Sequence, residues 1–183
     1  LEERSYVGDV SALSAKVDAA EAELESAVVR QAEHRKRVRE ETKAAREALV
    51  TEAEALSDST SWKSTSERYS AMVEEWKALP RSDRSLEQDL WKRLSSARAS
   101  FDKRRRAHFA QLDSQRKEAV AAKRELITKA EALADSTDWG PTTRAVRSLM
   151  DQWKRAPRGS RSDEDKLWKK FKAAQDSFYS AMK

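Results

Sequence analysis

Apolar residues recur along this chain at helical spacing. One stripe repeats at steps of seven, three, four and three residues, and it consists of Trp62, Tyr69, Met72, Trp76 and Leu79. The next stripe consists of Leu90, Leu94, Ala97 and Phe101. Such steps place side chains on one face of an α-helix. The pattern therefore predicts two amphipathic helices, separated by Pro80, which cannot continue a helix.

Capping signals give the expected helix boundaries. A preceding helix is expected to end near Leu56, where Asp-Ser-Thr interrupts the apolar pattern. The second helix is expected to open at Trp62 with Ser61 as its N-cap, because serine accepts bonds from free N–H groups there. The third is expected to open at Ser85, where Ser85-x-x-Gln88 has the form of a capping box. In the second copy described below, Asp138 takes the place of Ser61, and Ser162-x-x-Asp165 that of the capping box.

The chain contains an internal repeat, with a constant shift of 77 in residue number. Trp62, Trp76 and Trp91 are matched by Trp139, Trp153 and Trp168, which accounts for all 6 tryptophans. Set without a gap against residues 120–183, residues 43–106 show 26 identities in 64 positions. A repeat of this length is usually one supersecondary unit, so the sequence predicts two copies of a three-helix unit.

Two long helices are expected beside these units. No glycine or proline occurs between Phe101 and Gly140, so the third helix of the first unit is expected to continue into the second unit, over about 86–134. A second long helix is expected over about 9–56. Its first half carries a heptad pattern, the seam, which consists of Val10, Leu13, Val17, Ala20, Leu24, Ala27 and Gln31. Such a seam is typical of a coiled coil and needs a partner helix.

The predicted fold class is therefore all-α: elongated tandem three-helix bundles joined by long shared helices, with an N-terminal coiled-coil-like arm. The predicted domains are the arm over 1–42, one repeat unit over 43–119 and a second over 120–183. Charged residues make up 38% of the chain, with only 3 glycines and 3 prolines, which suits helices and leaves few turn-formers for a β fold. Since the chain begins with Leu1, we expect it to be a fragment of a longer protein.

Composition also limits the possible chemistry. There is no cysteine and there are only 2 histidines, far apart in sequence, so no metal site, cofactor or nucleophile is expected. No glycine-rich phosphate loop is present, and we expect a protein that is not an enzyme. The apolar runs are too short for a membrane span, and a cytoplasmic location is expected.

Over about 43–183 the chain carries six tryptophans, two Pro-Arg-x-x-Arg-Ser loops, two Leu-Trp-Lys triplets and two late phenylalanines. This set resembles a bacterial domain of unknown function, number three hundred and forty-nine in its series. That resemblance implies tandem helical repeats of about this length. It implies fold and leaves function open. Residues 1–42 match only weakly, so the arm is expected to have a role of its own.

The Pro-Arg loops are the sharpest candidate sites. Each places two arginines, Arg81 with Arg84 and Arg158 with Arg161, just ahead of a predicted helix N-terminus, where N–H groups and the helix dipole favour anions. Each pair could hold a phosphate. The alternative is that the arginines pair with carboxylates such as Glu74 or Asp151.

The tryptophans allow two interpretations. Near lysine and arginine they could stack on unpaired bases. Trp62 and Trp76 lie within an apolar stripe, however, so we interpret them as anchors of a thin core. Trp91 and Trp168 follow a stripe leucine directly, and we expect them at the edge of the core.

Basic residues are concentrated in the middle of the chain. Residues 80–124 carry 13 basic and 6 acidic groups, while residues 1–29 carry 2 and 7. The first hypothesis is binding of nucleic acid, RNA more than DNA, or of a ribonucleoprotein, through phosphate contacts without base readout. The expected contact residues are Arg81, Arg84, Lys92, Arg93, Arg98, Lys103, Arg104, Arg105 and Arg106, with Arg158, Arg161, Lys169 and Lys170 in the second unit.

The alternative hypothesis is a helical scaffold that binds other proteins or pairs with itself through the seam at 10–31. The acidic arm motivates it, because residues 1–29 carry a net charge of −5 and are unsuited to a polyanion. In this hypothesis the basic runs only keep the helices soluble.

Overall fold

The computed structural model describes the backbone of residues 2–183 and the side chains of residues 8–183. Over this range the chain forms α-helices joined by short loops. They are α1 (Glu2–Leu56), α2 (Trp62–Ala78), α3 (Arg84–Leu133), α4 (Trp139–Arg155) and α5 (Arg161–Met182). The prediction of an all-α protein is confirmed, as are both long helices, α1 and α3. The helices divide into two units, the first ending at Lys103 and the second running from Arg104 to Lys183.

The expected N-caps of α2 and α4 are in place but make no capping bond. Ser61 and Asp138 precede these helices, yet neither side chain accepts a bond from the helix. Instead, the Ser59 hydroxyl accepts the Ser61 N–H at 3.1 Å and bonds the Thr65 hydroxyl at 2.8 Å. Ser136 makes the equivalent bonds in unit 2. The serine two residues before the N-cap position thus ties the loop to the helix.

The core of unit 1 lies between α2 and parts of α1 and α3. Its buried residues are Leu49, Val50 and Ala53 of α1, Tyr69, Met72 and Trp76 of α2, and Leu90, Leu94, Ala97 and Phe101 of α3. Phe101 packs against Trp62 and Tyr69, with ring centroids 5.7 and 5.3 Å apart. The Tyr69 hydroxyl donates to the carbonyl of Ala53, and burial raises the pKa of Tyr69 to about 12. Both predicted stripes therefore face this core.

The core of unit 2 repeats this arrangement. Its buried residues are Leu126, Ile127 and Ala130 of α3, Leu149 and Trp153 of α4, and Leu167, Phe171 and Ala174 of α5. Trp153 stacks on Phe171, with centroids 4.5 Å apart and ring planes 20° from parallel. Leu94, the aliphatic residue of unit 1 that corresponds to Phe171, fills the same place there. Each unit is thus a three-helix bundle.

The N-terminal part of α1 differs from both bundles. Every described side chain over 8–37 is exposed, and the first buried residue is Thr42. These residues make up most of the arm, and they pack against no other described part of the chain.

Candidate anion-binding surfaces

The helices that follow the two Pro-Arg loops begin two residues earlier than predicted. The first helical residues are Arg84 and Arg161. The Asp83 carboxylate accepts the N–H of Leu86, and the hydroxyl of Ser160 accepts that of Asp163 in the same way. The predicted N-caps Ser85 and Ser162 are therefore wrong. Aspartate and serine are both strong N-cap residues, and here they occupy equivalent positions of the repeat.

The space in front of α3 is filled by a carboxylate of the protein itself. Glu87, in the first turn, reaches back to accept the backbone N–H of Ser82 at 2.5 Å. It also lies 3.3 Å from Nη1 of Arg81. The Ser82 N–H bond, with the charges of Arg46 and Arg81, holds the pKa of Glu87 below its ordinary value despite burial. Arg81 therefore pairs with a carboxylate, as the alternative interpretation expected, but the partner is Glu87. Glu74 pairs with Lys77 instead.

The loop before α5 has the same chemistry. Glu164 accepts the N–H of Gly159 at 2.7 Å. Burial alone would raise the pKa of Glu164, but bonds from Lys123 and Gly159, with the charges of Lys123 and Arg158, outweigh it and lower the pKa. Asp151, the carboxylate suggested by the sequence, makes no ion pair among the described residues. Both loops thus hold an internal carboxylate at the place where the sequence allowed either a phosphate or a carboxylate.

Each of these carboxylates faces a buried cation that the sequence reasoning missed. Arg46 is only 2% exposed, lies 3.4 Å from Glu87 and donates to the carbonyl of Pro80 at 2.9 Å. In unit 2, Lys123 is also 2% exposed and donates to Glu164. Arg46 and Lys123 occupy equivalent positions of the repeat, and each precedes a buried leucine by three residues. A basic residue at the same repeat position on an apolar face was the available signal.

A tryptophan covers each buried cation. The guanidinium of Arg46 lies 4.9 Å from the ring centre of Trp76, and Nζ of Lys123 lies 5.1 Å from that of Trp153. A cation over an indole face is attracted by the ring quadrupole, more strongly when it is desolvated. The tryptophans at the proline-proximal ends of α2 and α4 therefore hold charge as well as apolar surface.

The acidic partners predict a pH dependence of stability. A carboxylate whose pKa is lower in the folded state stabilises the fold above its unfolded pKa, and this stabilisation is lost as the pH falls through the folded pKa. The ordinary pKa here is 4.5. We expect the Glu87→Gln, Glu164→Gln double variant to be less stable than the original protein at pH 7, with the difference shrinking as the pH falls below about 4.5. Denaturant unfolding of both proteins across this range measures it. A difference that is the same at neutral and acid pH would contradict the assignment.

A small cavity lies beside each cluster. It measures about 310 Å³ beside Trp76 and Trp91 in unit 1, and about 280 Å³ beside Trp153 in unit 2. Trp91 packs on Trp76 at 5.4 Å and stays 38% exposed, which places it at the edge of the core as expected. Trp168 is similarly placed against Trp153 at 5.8 Å.

Several predicted contact residues of unit 1 are already paired. Arg93 lies 2.7 Å from Glu54 of α1, and Arg98 lies 3.9 Å from Asp102 one turn further along α3. With Arg81, these arginines are held to carboxylates of the protein. Exposed pairs of this kind contribute little to stability, but they lower the positive charge that an external anion would meet.

The remaining predicted contact residues of unit 1 share one side of α3. Arg84, Lys92 and Lys103 are exposed and have no ion-pair partner among the described side chains. Together with Gln88, Ser96 and Ala99 they form one series along the helix. Successive members of this series are four, four, four, three and four residues apart. These steps define the α3 basic face, which lies opposite the buried stripe. No carboxylate stands within that series, and Asp89 and Asp102 lie at its two edges.

The following turn of α3, in unit 2, carries Arg104, Arg105 and Arg106. Consecutive residues on a helix point about 100° apart, so these three surround the helix instead of forming one patch. Arg105 lies over the ring of Phe109, with its guanidinium 5.5 Å from the ring centre. Arg106 is exposed.

The predicted contact residues of α5 and its loop, namely Arg158, Arg161, Lys169 and Lys170, are all exposed. The face of α5 that corresponds to the α3 basic face is not purely basic, however. Asp165 and Asp176 replace Gln88 and Ala99 at the equivalent positions. The two units therefore share their buried charge cluster but differ in their exposed charge.

Metal sites and membrane spans are absent from the part of the chain that the structure describes. Its side chains include no group of three or more histidines, cysteines, aspartates or glutamates that could hold a metal ion. None of its helices is long and apolar enough to cross a membrane.

Comparison with known proteins identifies the repeat. The family model for the Domain of Unknown Function (DUF349) matches twice, over residues 12–85 and 89–162. The two matches begin at equivalent positions of the repeat, as the tryptophan spacing predicts, and the first begins within the arm, where the sequence had suggested only a weak match. Neither the curated proteins nor the solved structures gave a match. Since the two matches cover most of its length, this chain belongs to the DUF349 family and carries two tandem copies of its repeat.

Proposed function

We propose that this chain is a non-enzymatic cytoplasmic protein that binds RNA, alone or within a ribonucleoprotein, through the α3 basic face. One observation carries the proposal: Arg84, Lys92 and Lys103 are exposed and unpaired among the described side chains, in a series of face residues that includes no carboxylate. Positive side chains of this kind bind phosphates and release counterions from the nucleic acid.

The spacing of these residues suits a phosphate backbone. At 1.5 Å per residue, Arg84 and Lys92 are about 12 Å apart along the helix and Lys92 and Lys103 about 16 Å. Their long, flexible side chains can reach different phosphates of one strand. The contacts that we propose go to phosphates and not to base edges, so recognition would be of backbone and shape, as proteins commonly recognise RNA.

The predicted contact sets contribute unequally in this proposal. A carboxylate beside each of Arg81, Arg93 and Arg98 lowers the positive charge that a phosphate would meet there. In unit 2, Asp165 and Asp176 would repel a polyanion that approached Lys169. We therefore assign the main contact to the α3 basic face.

A charge-reversal experiment tests this assignment. We expect the Arg84→Glu, Lys92→Glu double variant to bind a labelled single-stranded RNA at least about tenfold more weakly, because one charged hydrogen bond contributes about 1.5 kcal/mol or more. The slope of log affinity against log salt should also fall by about 0.7 for each phosphate that the variant no longer neutralises. Fluorescence anisotropy across a salt series measures both quantities.

The repeat supplies a matched control. Arg161→Glu, Lys169→Glu changes the same residue types at the equivalent positions of α5, and we expect only a small loss of affinity from it. Circular dichroism verifies that both variants keep their helices. Equal affinities for the two double variants would reject the α3 basic face as the contact surface.

A further inference from the structure

The seam of the arm is an exposed apolar stripe. Val10, Leu13, Val17 and Leu24 are 54%, 63%, 48% and 66% exposed. The family repeat places Leu13, Val17 and Leu24 at the positions of the buried α3 residues Leu90, Leu94 and Phe101. The same stripe is thus covered in unit 1 and uncovered on the arm.

The arm departs from the units at the residues that dock the neighbouring helix. Trp91 and Trp168 correspond to Ser14 in the arm, and the buried carboxylate Glu87 corresponds to Val10. Two helices like α1 and α2, which bring the buried cation Arg46 and the ring of Trp76 to α3, would find no partner for either group on the arm. The seam also continues to Ala27, whose equivalent in α3 is Arg104. These differences favour a lone helix over a bundle as the cover.

We propose that the arm pairs with the arm of a second copy of this chain, as an antiparallel two-stranded coiled coil. In the register that centres on residues 18–19, Val10 faces Ala27 of the second copy, Leu13 faces Leu24, and Val17 faces Ala20. Each alanine then meets a larger side chain. Interiors pack best when large and small residues face each other, so this register fills the seam.

Charge complementarity supports the same register. In an antiparallel pair, the residues that directly precede alternate seam positions face the same set of residues on the second copy. This brings Lys16 against Glu23 and Asp9 against Arg30 of the second copy. Two-fold symmetry repeats both pairs. Such flanking pairs set the orientation of coiled coils.

A parallel arrangement fits less well. It would place Ala20 and Ala27 against themselves, which leaves gaps along the seam. It would also set Arg30 against Arg35 of the second copy, a repulsive pair, although Lys16 would face Glu21. Both shape and charge therefore favour the antiparallel arrangement.

The arm also needs a partner to be stable as a helix. No described side chain over 8–42 takes part in an ion pair, and no other element covers it. Helices in proteins gain most of their stability from packing of an apolar face. A second arm supplies that packing to both copies.

Sedimentation equilibrium of the whole chain, from about 1 µM to about 1 mM, tests the association at concentrations where weak complexes form. We expect the mass to rise from 20.9 kDa toward twice that value. Val17→Lys should keep the chain monomeric, because Val17 lies in the seam. Val29→Lys is the matched control, since Val29 is 55% exposed but lies on the opposite side of the helix. A chain that stays monomeric throughout, or equal effects of the two variants, would overturn the proposal.

Cysteine cross-linking tests the orientation, and the natural chain has no cysteine to interfere. In the proposed register, Val10→Cys mixed with Ala27→Cys should form a disulfide between the two variants under mild oxidation. Neither variant alone should cross-link, because its own two sulfur atoms lie about 26 Å apart along the coiled coil. Parallel arms would give the reverse result, with each variant cross-linking to itself, and would refute the antiparallel arrangement.

Charge exchange gives an independent result for the same register. Lys16→Glu should weaken association by placing like charges against Glu23 of the second copy. Adding Glu23→Lys should restore it only in the antiparallel arrangement, because in a parallel one the new glutamate would face Glu21. Failure of the double variant to recover association would count against the proposed register.

Discussion

Replacing Glu87 with glutamine is expected to lower the free energy of unfolding of unit 1 by about 3–5 kcal/mol, because it leaves a buried guanidinium without its counter-charge. Arg46 is 2% exposed and lies 3.4 Å from Glu87. Its Nε already has no hydrogen-bond partner in the structure, and the contacts left to the guanidinium, the carbonyl of Pro80 and the ring of Trp76, carry no counter-charge. Guanidinium unfolding followed by circular dichroism measures the loss.

Two controls separate the buried pair from charge in general. Glu74→Gln removes an exposed carboxylate and should cost less than about 0.5 kcal/mol. Arg46→Met combined with Glu87→Leu should recover much of the stability lost by Glu87→Gln, since apolar replacement of a whole buried ion pair is often tolerated. If Glu87→Gln cost no more than Glu74→Gln, the pair would not stabilise the bundle.

Phe101→Ala is the second substitution with a large expected effect. Phe101 is completely buried and contacts the rings of Trp62 and Tyr69 on α2. Truncating a buried phenylalanine removes transferred apolar surface and leaves a cavity, which costs about 3–5 kcal/mol. Unit 1 should then unfold at a lower denaturant concentration, and circular dichroism measures the shift.

The same helix provides the control for this substitution. Phe109 lies two turns beyond Phe101 on α3 and is 44% exposed. Phe109→Ala should change stability by far less, because its ring already contacts water. Comparable losses from the two variants would show that Phe101 does not anchor the core.

The helices were largely predictable because their signals are local and occur twice. Pro80 and the interruption after Leu56 mark helix ends in both copies, and the apolar stripes match the buried faces of α2 and α3. The unbroken stretch after Phe101 correctly predicted one continuous helix. Duplication turned weak local signals into consistent ones.

The N-caps of α3 and α5 and the partners of the buried cations were harder to predict than the helices. Ser85 resembles a cap in sequence, but Asp83 takes that role, and Glu87 reaches back to the N–H of Ser82. Arg46 stands on an apolar face of α1, and its partner Glu87 belongs to α3, two helices further along the chain. Only the folded bundle brings Arg46 and Glu87 together, because their interaction is long-range and electrostatic.

The α3 basic face depends on a similar distinction. The sequence grouped all basic residues of 81–106 into one contact set, whereas the structure pairs Arg93 with Glu54 of another helix. Which cations are available to a ligand depends on packing between helices, and composition cannot show it. The charge count of a segment is therefore a weak guide to its binding residues.

The measurement that tests the central proposal most directly is binding of the whole chain to a labelled single-stranded RNA, with duplex DNA as competitor, between about 50 and 200 mM salt. The proposal predicts that RNA binds more tightly than DNA, that log affinity falls linearly with log salt, and that Arg84→Glu with Lys92→Glu weakens it. Absence of RNA binding at the lowest salt would contradict it.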